Sequence, residues 1–291
     1  MKQIFKYAMA LLMLVAVVSC GRDDAPAGKD EVNGNNTKDY VLSNDGKTLL
    51  AWVNRETTSI NMENNPELRN VKIIGERVFS EHKNLVKIVF PKNLERIENK
   101  AFERTKLSSI VIPNEVKSIG NDAFNGSKLT SISFGNSVTS IGNSAFAYNQ
   151  LTTVDIPNSV KSIGMYAFSV NNLTSVNIGN GLTNINDFVF TINKLTSINI
   201  PNNIINIGGE AFSHNQLTSI NIGNSVQNIG ERAFEFNPLV SLSIEATEPP
   251  KLHNSTLWSN ISSIYVPRES VDKYKQADIW KRYTSHIQAK Q

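Results

Sequence analysis

Apolar and polar positions along this chain fall into a pattern that returns every 22 residues. Phe102, Phe124, Phe146, Phe168, Phe190, Phe212 and Phe234 keep that spacing without a slip, and Phe79 lies one residue further back. Each copy opens with Leu-Thr-Ser-Ile-x-Ile, starting at Leu129, Leu151, Leu173, Leu195 and Leu217. Alternating polar and β-favouring residues predict a strand with the Leu and both Ile turned inward. Pro113, Gly135, Pro157, Gly179, Pro201 and Gly223 then stop the strand and turn the chain. A second limb reads Val-x-x-Ile-Gly-x-x-Ala-Phe, with Val226, Ile229, Ala233 and Phe234 inward in one copy. Gly75, Gly120, Gly142, Gly164, Gly208 and Gly230 follow the Ile, and Asn186 replaces Gly once. Both residue types tolerate positive φ, so a left-handed corner is expected there, with Glu98 an exception that should be strained or locally rearranged. The Ala-Phe segment predicts a single helical turn.

A fixed period of this length means stacked like units, each too small to fold alone. Strand copies begin at 57, 85, 107, 129, 151, 173, 195, 217, 239 and 261. Parallel neighbours ~4.8 Å apart would make a sheet roughly 43 Å long. Three residues after each Phe sits a small polar residue: Thr105, Ser127, Asn149, Asn171, Asn193, Asn215 or Asn237. Stacking makes this an internal column that must be hydrogen-bonded to turn backbone. Both ends need covers. Tyr40 to Trp52, with Asp45-Gly46 at its centre, predicts a hairpin. Residues 268–291 are charged and helix-prone, and offer Val271, Tyr274, Ala277, Ile279 and Trp280 to the last coil. Trp52 and Trp280 are expected as plugs.

The repeat Leu-x-x-Ile-x-Ile-Pro-Asn-x-Val-x-x-Ile-Gly-x-x-Ala-Phe resembles the BspA-like, or Treponema pallidum type, leucine-rich repeats over about residues 57–244. Glu248-Pro-Pro, Ile264-Tyr-Val-Pro267 and Val271 to Trp280 resemble an end module of Bacteroides members. The family often carries Cys where this chain has Asn149 to Asn237, and the early coils here are irregular. The register and the chain ends together predict a right-handed β-rich solenoid of about ten 22-residue leucine-rich repeats, with a hairpin cap and a helical cap. The resemblance implies a surface-exposed protein for binding or adhesion, without naming a ligand.

The start of the chain adds delivery to this picture. Lys2, Lys6 and the apolar run Ala8 to Val18 read as a secretion signal, too short to span a membrane stably. Val17-Val18-Ser19-Cys20 resembles a bacterial lipobox, in which the cysteine becomes the lipid-bearing N-terminus. The alternative is an ordinary cleaved signal with an incidental cysteine. Cys20 is the sole cysteine of the chain, and its lipidation would leave no free thiol and no possible disulfide. Residues 21–37 read as a flexible tether, followed by a cap over 38–56 and coils over 57–267. Asp23 and Asp24 resemble an export signal of surface lipoproteins. An outer-membrane lipoprotein facing the exterior is expected, touching the membrane through its anchor alone. The formal charge of +3 falls to +1 once Lys2 and Lys6 leave with the signal, and argues against nucleic acid.

Candidate chemistry is sparse. His82, His214, His253 and His286 are far apart in register, and no metal or phosphate motif occurs. No catalytic residue and no cofactor is expected. Two surfaces remain. Asp155, Asn177, Asn199 and Asn221 form a polar face on the strands, open to a glycan or an extended peptide, or merely solvated. Two columns turn apolar in the middle coils. One runs Arg104, Gly126, Tyr148, Val170, Ile192, His214, Phe236; the other Lys100, Asp122, Ser144, Tyr166, Phe188, Glu210, Arg232. Tyr148, Tyr166, Val170, Phe188, Ile192 and Phe236 are either an exposed ridge for a protein partner or extra core folded over the Phe column.

Overall fold

The computed structural model describes residues 38–253 and 261–291. The proposed signal, Cys20 and the tether over 21–37 lie outside the described residues. The repeats stack as expected. Ten front strands run from Ser59–Asn61 through Ser109–Val111, Thr153–Ile156 and Ser197–Ile200 to Ser263–Val266. Like residues pair in parallel one coil apart, for example Val154 with Val176 and Ile198 with Ile220. The inward Leu and Ile residues form one continuous core with the Phe column. From Phe79 to Phe234 successive rings lie 4.9 to 5.8 Å apart with planes within 20° of parallel. Offset stacking of this kind adds to the area each ring buries.

The second limb holds more strand than its sequence predicts. Two-residue strands such as Ser118–Ile119, Ser140–Ile141 and Ser162–Ile163 build a back sheet. The N-terminal hairpin, Tyr40–Leu42 with Thr48–Trp52, extends it at one end. Trp52 packs 5.5 Å from Phe79 and closes the ring stack there. At the other end, helix Val271–Gln276 and the short turn Trp280–Tyr283 bury Tyr274 and Trp280. Trp280 Nε1 donates to the Pro250 carbonyl at 2.6 Å, and Tyr274 Oη to that of Ala246 at 2.8 Å. This end is not purely helical: Ile287–Ala289 adds an eleventh strand, parallel to Ser263–Val266.

The expected left-handed corner at the glycines that recur after each Ile is wrong. Gly46 and Gly126 are the positive-φ glycines among the described residues. The glycines after the Ile are needed for closeness instead. A Cβ on Gly142 would stand 2.6 Å from the backbone of Gly120 and Asn121, a distance that real Cβ atoms do not adopt. Gly142→Ala should therefore cost about 2 kcal/mol or more in a urea unfolding series, although alanine suits the local dihedrals. Glu98 is not strained: its φ is negative, its N–H meets the Ile74 carbonyl at 2.9 Å, and its carboxylate pairs with Arg96. Asn186 does change the stack. Its side-chain Nδ2, not its backbone, donates to Ile163 O at 2.7 Å. The back sheet is interrupted at that step, between Ser162–Ile163 and Asn184–Ile185.

No helical turn forms at Ala-Phe. The limb is instead a chain of tight turns around two left-handed residues, one just before Ala and one two after Phe. Ser144 and Tyr148 have φ of 53° and 58°, Tyr166 and Val170 61° and 53°, Phe188 and Ile192 61° and 56°. The left-handed residues aim alternate N–H groups along the solenoid axis. Ser144, Phe146 and Tyr148 donate to Met165, Ala167 and Ser169 of the next coil at 2.9, 2.8 and 3.1 Å. A third inter-coil ladder, beside the two sheets, thus requires positive φ at these two positions whatever residue fills them.

Candidate functional site

The expected internal column is bonded from Ser127, whose hydroxyl donates to Phe102 O at 2.6 Å, through Asn237, but the expectation fails at Thr105, whose buried hydroxyl has no partner. Asn171 Nδ2 donates to the carbonyls of Phe146, Phe168 and Ser169 at 3.0 to 3.2 Å. Its Oδ1 accepts the Leu151 N–H at 3.0 Å. Asn149, Asn193, Asn215 and Asn237 repeat the pattern one coil at a time. These carboxamides join coils and are buried or nearly so, which leaves recognition to the surface.

The two variable columns coincide with the two left-handed positions. Tyr148, Tyr166 and Ile192 are 42, 38 and 41% exposed, while Val170 and Phe188 are half-buried. They are not folded away as core. These five residues occupy three successive coils, and the Tyr166 and Phe188 rings stack at 4.5 Å, 7° from parallel. Met165 joins them as an exposed apolar neighbour that the column pattern did not flag. Phe236, 62% exposed, stands apart: Glu210 and His214 occupy the intervening coil, and its ring packs 4.3 Å from His214. Partial burial raises the hydroxyl pKa of Tyr148, and burial with Glu210 and Asp187 nearby raises that of Tyr166. Both remain neutral hydrogen-bonding groups at physiological pH.

A non-glycine residue with positive φ is uncommon, and a β-branched one is a true outlier. Val170 and Ile192 are both β-branched. Gly126 fills the equivalent position two coils before Val170 with no such cost. Strain of this kind, about 1–3 kcal/mol per residue, persists where the surrounding structure imposes it. Here the ladder imposes it, and the side chains it displays do nothing visible for the ladder.

On the strand face, Asp155 pairs in register with Asn177, and Asn199 with Asn221. All four are exposed. The pairs do not form one continuous ladder, because the front sheet is interrupted between Ser175–Ile178 and Ser197–Ile200. Neighbouring Thr130, Thr174 and Thr218 donate their hydroxyls to backbone carbonyls of the preceding coil. The carboxamides are therefore the freer groups on this face. Among the described residues no cluster of three or more His, Cys, Asp or Glu could hold a metal ion, and no helix is long and apolar enough to cross a membrane.

Buried His82 gives a pH test of the N-terminal coils. Burial, aided by Arg55, lowers its pKa below the ordinary 6.5. The folded state thus disfavours the proton that the unfolded chain accepts. Stability should be full above about pH 6.5 and fall as pH drops from there toward the folded pKa. Burial lowers His214 as well, in the same direction. Urea midpoints at pH 7.5 and 5.5 should show the loss, and His82→Leu should shrink it.

These features define a leucine-rich-repeat solenoid. The sequence matches the BspA type leucine-rich repeat region, in six copies, over residues 51–171 and 140–260. The chain belongs to the BspA-type leucine-rich-repeat family. A leucine-rich repeat protein from Bacteroides ovatus is similar at 23% identity, covering 83% of this chain and 71% of its own, with a TM-score of 0.55. The leucine-rich repeat protein TpLRR of T. pallidum is 25% identical over 60% of this chain and 85% of its own, with a TM-score of 0.50. No curated protein matches the chain. Proteins built on this repeat are generally non-enzymatic scaffolds that bind other proteins.

Proposed function

We propose that the protein is a lipid-anchored recognition module on the outer face of a Gram-negative outer membrane, and that it binds a protein through Tyr148, Tyr166, Val170, Phe188 and Ile192. One observation carries the binding surface: apolar side chains are displayed at left-handed positions where Gly or Asn would serve the scaffold better. Aromatic and aliphatic residues grouped over three coils, with the charges of Asp187 and Glu210 beside them, match the apolar centre and polar rim of a protein interface. The anchor rests on Cys20 and the segment before it.

The test uses the full chain in a Gram-negative host. Palmitate labelling should disappear in Cys20→Ser, and protease added to intact cells should digest the solenoid. The mature protein should bind members of an extracellular-protein array, and Tyr148→Asn with Tyr166→Asn and Ile192→Asn should abolish that binding while leaving the fold intact. Protection from protease on intact cells would overturn the location. Array binding that survives the triple variant would overturn the surface.

A further inference from the structure

A second surface, independent of the aromatic ridge, points to a different ligand. Where the front strands end, a groove of about 760 Å³ opens beside Pro201 and Gly223. Its origin is steric. The corner position runs Pro157, Gly179, Pro201, Gly223, Glu245 in successive coils. A Cβ on Gly223 would stand 2.7 Å from the Pro201 backbone, so this step cannot carry a side chain and the notch stays open. Carboxamides wall it on both sides: Asn199 and Asn221 from the strand face, Asn180 and Asn202 from the turn beyond the corner.

The hydrogen bonds within the walls leave groups over. Asn221 Nδ2 donates to Asn199 Oδ1 at 2.7 Å, which leaves the Asn199 amide hydrogens and the Asn221 oxygen for a ligand. Asn202 Oδ1 accepts the Asn224 N–H at 2.9 Å, which leaves its amide hydrogens. The Asn180 carboxamide is exposed. Each carboxamide carries both donors and an acceptor, the pairing that adjacent sugar hydroxyls require. The rows repeat at the spacing of parallel strands, about 4.8 Å, close to the length of one pyranose unit in an extended chain. Charge selects further. No cation lines the groove, and Glu245, its one carboxylate, is paired with Lys290.

We propose that this groove binds a neutral oligosaccharide laid along the solenoid axis. Acidic glycans are disfavoured because Lys290, the cation beside Glu245, is already committed to that carboxylate. An extended peptide could use the same amides, but Ile200 and Pro201 are the apolar side chains of the lining, too few to seat the alternate side chains of a strand.

The mature full-length protein is titrated calorimetrically with short neutral gluco-, manno- and xylo-oligosaccharides, with uronate oligomers, and with a neutral Ser/Gly peptide. At least one neutral series should bind, with affinity rising with length until the groove is filled, and the uronates and peptide should not. Asn180→Ala with Asn221→Ala should weaken binding about tenfold without moving the unfolding midpoint. Asn206→Ala, on the back sheet, should change nothing. The proposal fails if no neutral oligomer binds, if uronates or the peptide bind better, or if the double variant binds as the parent does. Tyr166→Asn should leave sugar binding intact, so this test and that of the ridge fail separately.

Discussion

Phe168→Ala is expected to lower the unfolding free energy by about 4 kcal/mol, the range for deleting a fully buried aromatic ring. Phe168 is wholly buried, with Phe146 and Phe190 stacked at 5.4 and 5.8 Å on either side. Few side chains can collapse into the vacated space, because the neighbouring rings are held by their own coils. A solenoid is coupled through nearest neighbours, so the loss also weakens the link between the two arms of the stack. Urea unfolding followed by circular dichroism should show a lower midpoint and a broader transition, with the arms beginning to melt separately. Phe168→Leu should cost much less. A sharp single transition near the parent's midpoint would mean that the ring column does not hold the coils together.

Asn171→Ala should cost about 3 kcal/mol for a different reason. The variant removes little apolar area. It strips the Leu151 N–H of its acceptor and takes a donor from the carbonyls of Phe146, Phe168 and Ser169. Buried polar groups without partners pay their full desolvation cost. The control is Asn199→Ala on the strand face, where water replaces the lost bonds, and which should stay within about 0.5 kcal/mol of the parent. Equal effects at the two sites would contradict an inter-coil role for the Asn column.

Much of this architecture was legible because stacking turns a repeated letter into a physical row. The Phe column, the ten front strands and the bonded Asn column follow from the 22-residue register, and the Trp52 plug from the need to cover its open end. What was misread lies in contacts between coils. The glycine after each Ile looks like a left-handed corner when one coil is considered alone. In the stack it is a steric gap, set by the backbone of the coil beneath. The true left-handed positions carry Tyr, Val, Phe, Ile, Glu, Arg, Lys, Ser, Asp, His and one Gly, a mixture in which Gly126, Asp122 and His214 alone favour positive φ. Their one signal was variability, because a position shaped by the ladder tolerates many side chains. Similarly, the short back strands and the strand Ile287–Ala289 have little propensity of their own and are held by the neighbouring edge. The groove at Gly223 could not be read locally either, since Gly/Pro alternation predicts a turn but not the space it leaves.

The central claim is that the ladder imposes left-handed backbone on two columns and that the apolar residues displayed there are carried at a cost to the scaffold. The most direct measurement is the thermal midpoint of Val170→Gly with Ile192→Gly, read against Gly126→Val. Relief of β-branched strain should outweigh glycine's added chain entropy and the little area lost, so the double variant should be more stable by about 1 kcal/mol. Gly126→Val should be less stable by about 1–2 kcal/mol. A double variant that melts well below the parent, with Gly126→Val unchanged, would contradict the account: the ridge would then be part of the core.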